Sequence, residues 1–161
     1  MSEAPDGGYD SRSDEVESSP PAPDGDAYAW YRRGLDLLGR GSAAAAAQLL
    51  QRAAEAEPGS RSVLEALGRA QFDAGRYAAA ADSFRQIVEA SPSDDYAHFG
   101  LGLALARDGN PAAAAEHLAL AAAMRPDLPH YTNALRAVRA TLRARAAPEP
   151  PGPPPAGDAP G

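Results

Sequence analysis

The sequence predicts an all-α array of stacked helix pairs, and three residue sets carry that prediction. Gly34, Gly68 and Gly102 recur at an interval of thirty-four residues, as do Gly41, Gly75 and Gly109, and again Pro58, Pro92 and Pro126. A period in this range marks units that cannot bury an apolar face alone and do so against their neighbours. The copies run over residues 27–60, 61–94 and 95–128.

Each copy reads as two helices. In the second, residues 61–74 place Val63, Leu64, Leu67 and Ala70 at helical spacing. Gly75 ends that helix, because glycine accepts the left-handed conformation that closes a last turn. The following helix, over 77–90, carries Ala80, Ala81, Phe84, Ile87 and Val88 on one face. Proline lacks an amide hydrogen and disfavours a helical residue before it, so Pro58, Pro92 and Pro126 separate the repeats. Asn110 and Pro111 open the last second helix as an N-cap followed by proline at the first helical position. Glycine inside a helix costs about 1 kcal/mol relative to alanine. Its recurrence at 34, 68 and 102 therefore predicts close helix crossings, with glycine facing Ala46, Ala80 and Ala114.

With these residues in phase, the chain resembles the tetratricopeptide repeat family over residues 27–128. That family has a large residue at the fourth place, Leu-Gly at the seventh and eighth, an aromatic at the eleventh, and Ala, an aromatic, Ala and Pro at the twentieth, twenty-fourth, twenty-seventh and thirty-second. Repeat one supplies Trp30, Gly34, Ala46, Leu50, Ala53 and Pro58. Repeat two supplies Leu64, Leu67, Gly68, Ala80, Phe84 and Pro92, and repeat three Gly102, Ala114, Leu118, Ala121 and Pro126. Leu37, Gln71 and Leu105 stand where an aromatic is usual, and Ile87 replaces an alanine.

The resemblance implies a right-handed superhelical array whose first helices line a concave groove. The second, fifth, ninth, twelfth and thirteenth places of each repeat would face a peptide ligand. They hold Tyr28, Tyr31, Leu35, Leu38 and Gly39; then Ser62, Glu65, Arg69, Phe72 and Asp73; then Tyr96, Phe99, Leu103, Ala106 and Arg107. Aromatic side chains suit recognition of apolar segments, but Tyr28, Tyr31 and Phe99 also have a structural reading, in which they cover an open end or pack between first helices. Arg69, four places from both Glu65 and Asp73, reads as a self-satisfied charge cluster or as a trio that reads the ligand. Members that clamp a C-terminal carboxylate use Lys and Asn at the fifth and ninth places of the first repeat. Tyr31 and Leu35 stand there, so that mode of binding is not expected.

The flanks have their own character. Residues 1–26 hold eight Asp and Glu against Arg12, which accounts for the whole formal charge of -7, and are expected to be a disordered acidic tail. Residues 129–146 place Tyr131, Leu135, Val138 and Leu142 on one face, as a capping helix requires. Its other side carries Arg136, Arg139, Arg143 and Arg145. They read as a solvated face favoured near a helix C-terminus, as an anion patch, or as a salt-sensitive counter-charge for the acidic tail. The acidic balance argues against nucleic acid. Residues 147–161 are proline-rich and expected to be extended or disordered.

No basic start leads into an apolar run, and no stretch nears the roughly 20 apolar residues of a membrane span, so the sequence reads as cytoplasmic with no membrane partner. Cysteine is absent, which removes disulfides, thiolate ligands and a cysteine nucleophile. His98, His117 and His130 include no pair at i, i+4, and no phosphate loop or nucleophile elbow occurs. No catalytic residue, cofactor or metal site is expected, and His98, at the place of Trp30 and Leu64, is expected to fill a packing position. The functional expectation is a non-catalytic scaffold that binds a protein or peptide in the groove. The alternative is a structural role, through self-association or permanent seating in a larger complex. Gly68→Leu is expected to overpack its crossing and cost about 1 to 3 kcal/mol or more, whereas Gly8→Leu leaves the melting temperature unchanged; equal melting temperatures would remove the packing argument.

Overall fold

The computed structural model describes residues 26–157. Seven helices follow one another: α1 (Ala27–Gly39), α2 (Ala43–Ala56), α3 (Arg61–Asp73), α4 (Tyr77–Ala90), α5 (Asp95–Arg107), α6 (Pro111–Met124) and α7 (Pro129–Ala146). Of the acidic segment assigned to 1–26, only Asp26 lies among the described residues, and it belongs to the fold: its carboxylate accepts from the Ala29 amide at 2.8 Å and caps α1. Asp94 caps α5 in the same way, through Ala97 at 3.0 Å. Between α3 and α4, Gly75 has φ 77°. Its amide and that of Arg76 return to the carbonyls of Phe72 and Gln71 at 2.9 and 2.8 Å, which satisfies the end of α3. Residues 147–157 carry neither helix nor strand and are exposed.

Consecutive helices pack in antiparallel succession, and the first helices of each pair also touch: α1 with α3, α3 with α5, α5 with α7. Among the described residues the second helices α2, α4 and α6 do not touch one another. Helices close together on one side and splayed on the other make a curved array, so α1, α3, α5 and α7 line its concave side.

The crossings within pairs are close, and the nearest side chain at each mid-helix glycine is not that of the expected alanine. A Cβ added at Gly34, Gly68 or Gly102 would meet the side chain of Leu50, Phe84 or Leu118 at 2.6, 2.8 and 2.6 Å. The glycine faces the large residue one turn beyond the alanine. Ala46, Ala80 and Ala114 are fully buried in their own right, and the Ala114 carbonyl lies near Gly102 as well. Phe84 has a second glycine on its other side. A Cβ at Gly100 of α5 would stand 2.6 Å from Phe84 Cε1, so a ring from repeat two is held between glycines of repeats two and three.

Polar contacts register the helices. Gln71, at a place where the family usually has an aromatic, is buried in α3, and its amide oxygen accepts from Ser83 Oγ of α4 at 2.6 Å. Arg61 at the start of α3 donates to both Asp94 oxygens, at 2.7 and 3.2 Å, and to Glu65; this contact holds the Asp94 carboxyl below its ordinary value. The buried Tyr131 of α7 donates its hydroxyl to Asp95 at 2.7 Å, and burial with that bond pushes the phenol well up.

His98 fills a buried position and also finds a partner. Its Nε2 lies 2.8 Å from the Pro92 carbonyl, which can only accept, so Nε2 donates. With Nε2 carrying the ring's one proton, Nδ1 accepts from His117 Nδ1 of α6, 3.1 Å away, and the two rings stack at 5.4 Å. Burial, then the neighbouring His98, hold His117 below its ordinary value against a smaller opposing pull from Glu116, and Arg85 adds a lesser push downward.

Two outcomes follow from this packing. Gly100→Ala should destabilise by about 1 to 3 kcal/mol, read as a lower urea midpoint; an unchanged midpoint would mean Phe84 has room. Because His117 binds its proton less readily folded than unfolded, stability should fall as pH drops below about 6.5. His117→Gln keeps an amide donor for His98 and should flatten the dependence below about pH 6.5; an unaltered slope would assign it to other groups.

Candidate interaction groove

The concave side brings some of the predicted groove residues together and leaves others apart. Arg69, Phe72 and Asp73 from α3 and Tyr96, Phe99, Gly100 and Leu103 from α5 surround one recess of about 230 Å³, with Phe84 at its floor. Helical spacing explains the set, since 69, 72 and 73 and 96, 99, 100 and 103 each occupy one face. Phe84 and Gly100 were not among the expected residues. The signal for Gly100 was a glycine inside a predicted helix but out of phase with the repeat, and it is needed because the Phe84 ring occupies the space a side chain would fill.

The walls are aromatic and mutually braced. Phe84 and Tyr96 meet edge to face at 6.3 Å, and Tyr96 and Phe99 stand 6.3 Å apart. Phe99 stacks on Tyr131 at 4.6 Å and meets His130 edge-on at 5.2 Å. Phe99 thus packs between α5 and α7 with part of its ring and lines the recess with the rest. Phe72 meets Tyr77 edge-on at 5.2 Å, and the exposed Arg107 guanidinium lies over both rings at 5.7 and 5.8 Å while donating to the Tyr77 hydroxyl at 3.3 Å. Arg107 is therefore held at the edge of the recess by repeat two.

The expected charge cluster around Arg69 does not form. Glu65 accepts from Arg61 instead, and no salt bridge joins Arg69 to Glu65 or Asp73. Arg61 captures Glu65 because it stands four places earlier at the mouth of α3 and is already fixed by Asp94. Arg69 and Asp73 are left on the rim. Burial pushes the Tyr96 hydroxyl above its ordinary value; Arg69 opposes this, and Glu65 and Asp73 add to it.

The first repeat contributes a separate surface. Tyr28 and Tyr31 line a shallower opening with Ala27, Glu57, Ser60, Ser62 and Val63. Tyr28 is 66% exposed, and its ring and hydroxyl are approached by Arg32. Leu35 borders neither opening and packs half-buried on the apolar cluster of Ala46, Ala47, Leu50, Ala66, Leu67 and Ala70. Among the described residues, no group of three or more His, Asp or Glu is placed to hold a metal ion, and no helix is long and apolar enough to cross a membrane.

Comparison with solved structures finds the same architecture. The TPR domain of Sgt2 from Aspergillus fumigatus superposes with a TM-score of 0.72 at 20% identity, covering 89% of this chain and 95% of that one. MamA from Desulfovibrio magneticus RS-1, residues 41 to its end, gives 0.70 at 21%, over 75% and 68% of the two chains. The first TPR domain of Spaghetti, solved with an HSP90 peptide, gives 0.68 at 19%, over 73% and 94%. At these identities the likeness is one of fold. No curated protein sequence matches the chain. The sequence itself matches the profile of the tetratricopeptide repeat over residues 31–95 and again over 65–129, two windows offset by one repeat. With its seven helices paired in that period, the chain belongs to the tetratricopeptide repeat family.

Proposed function

We propose that this protein is a non-catalytic interaction module that binds a peptide segment of a partner protein along its first helices, with the recess between α3 and α5 as the anchor point. One observation carries the reading: Arg69, Phe72, Tyr96, Phe99 and Leu103, each at a ligand-facing place of its repeat, converge on a single recess with an aromatic floor. Rings held by their neighbours present apolar area with little rotamer freedom left to lose, which favours binding. An apolar side chain of the ligand would enter over Phe84, while Arg69 and Asp73 on the rim pair with polar or charged groups on either side of it.

The Spaghetti domain was solved with an HSP90 peptide, which supports peptide binding as a use to which this fold is put. Tyr31 and Leu35 supply neither the cation nor the amide of a carboxylate clamp, so the ligand of this chain is read as an internal apolar segment. The exposed Tyr28 favours a second reading, in which the first repeat pairs with another copy; that contact would leave the recess open.

The test is photo-crosslinking from native extract with two variants of matched helicity. Arg69→Glu with Leu103→Glu changes the recess, and Leu120→Glu alters an exposed leucine of the outer helix α6. Partner capture should fall at least about tenfold in the first, the size expected when a hot spot is lost, and persist in the second. The reverse pattern would move binding to the outer helices.

A further inference from the structure

Charge is divided unevenly along this chain. Residues 27–161 contain equal numbers of Arg and of Asp plus Glu, so the formal charge of -7 resides wholly in residues 1–26. Within the fold, α7 is the opposite extreme. Its eighteen residues include four arginines and no carboxylate.

Arg136, Arg139 and Arg143 follow one another at i, i+3 and i+7, which sets them in one exposed row. The row runs beside the face of Tyr131, Leu135 and Val138 that is buried against the preceding helices. Arg40, Arg61, Arg85 and Arg125 each have a carboxylate within salt-bridge distance. In α7, Arg136 reaches only the Asn133 side-chain oxygen, at 3.3 Å. Arg139, Arg143 and Arg145 have no ion pair or hydrogen bond among the described residues.

We propose that the acidic segment 1–25 of this same chain docks on the arginine row of α7. The charges are complementary: Glu3, Asp6, Asp10, Asp14, Glu15, Glu17 and Asp24 stand against Arg12 alone. The reach is sufficient. From Ala27, Glu17 lies ten residues away and Glu3 twenty-four, which at about 3.3 Å per extended residue spans roughly 33 to 80 Å. The first helices from α1 to α7 are three spacings of about 10 Å apart, so the carboxylates from Asp14 to Glu3 can reach the row without strain. Single exposed ion pairs are weak. Several pairs on one tethered segment act together, because after the first contact the others form at high effective concentration. The docked segment covers the cationic end of the array against other anions, and added salt releases it.

The chain contains no cysteine, so Ser11→Cys offers a unique site for a spin label. At low salt and micromolar concentration, the label should broaden the amide signals of α7 around Arg139 and leave those of α2 sharp. Broadening should survive tenfold dilution and vanish at 1 M salt, where the screening length is about 3 Å. It should also vanish in Arg136→Gln with Arg139→Gln and Arg143→Gln, exposed substitutions whose fold the same spectra verify. Sharp α7 signals at low salt would overturn the proposal. So would broadening that persists in the triple variant or at high salt. Broadening that disappears on dilution would assign the row to a second copy of the chain instead.

Discussion

The array depends on how closely the two helices of each pair approach, and that approach is set by a missing side chain. At Gly34, Gly68 and Gly102 the first helix has no Cβ, and the side chain of Leu50, Phe84 or Leu118 occupies the vacated space. A glycine inside a helix is unfavourable alone. Here it lets a large apolar side chain become fully enclosed, and burial of a leucine or phenylalanine contributes about 1.5 to 3 kcal/mol. Three such crossings in phase give three pairs of similar geometry, and similar geometry lets the pairs stack.

Stacking then has to be registered, and polar groups do that at the mouths of the first helices. Arg61 spans from α3 to Asp94, which caps α5; Asp95, the next residue, accepts from Tyr131 of α7. These contacts repeat in position but not in chemistry, which is why they were invisible to a reading based on period. Their consequence is functional. They hold α3, α5 and α7 side by side along the concave side, so that Phe72, Tyr96 and Phe99 converge.

Features set by local conformation or by the phase of the repeat were legible in the sequence. The helix limits, the glycine at the end of α3 and the buried place of His98 follow from local conformation and from phase. What was not legible depends on side chains meeting across repeats or between paired helices. The glycine partner was misjudged by one turn, as an alanine in place of the large residue beyond it, because spacing within one helix does not give the stagger between two. The Arg69 cluster was expected from i, i+4 spacing, yet Glu65 has an equally spaced alternative in Arg61, and the tertiary contact to Asp94 decides between them. His98 and His117 are nineteen residues apart, a separation that carries no signal unless α5 and α6 are already paired. Fifteen residues were expected along the groove; six gather around one recess, since α1 meets α3 with a different set of side chains from that with which α3 meets α5.

Phe84 belongs to the core and to the groove at once. It is 2% exposed and completes the crossing with Gly68, yet its ring also rests on Gly100 and forms the floor of the recess. A change in how repeat two packs on repeat three must therefore change the shape of the recess, because the same ring is shared by core and surface. Phe99 has a parallel position one layer out, stacked on the capping Tyr131 while exposing an edge to the groove. Helix α7 is thus coupled to the candidate binding surface through two stacked rings. Covering the apolar end of the array and shaping its groove are consequences of the same contact, so a groove residue can be structural and still take part in recognition.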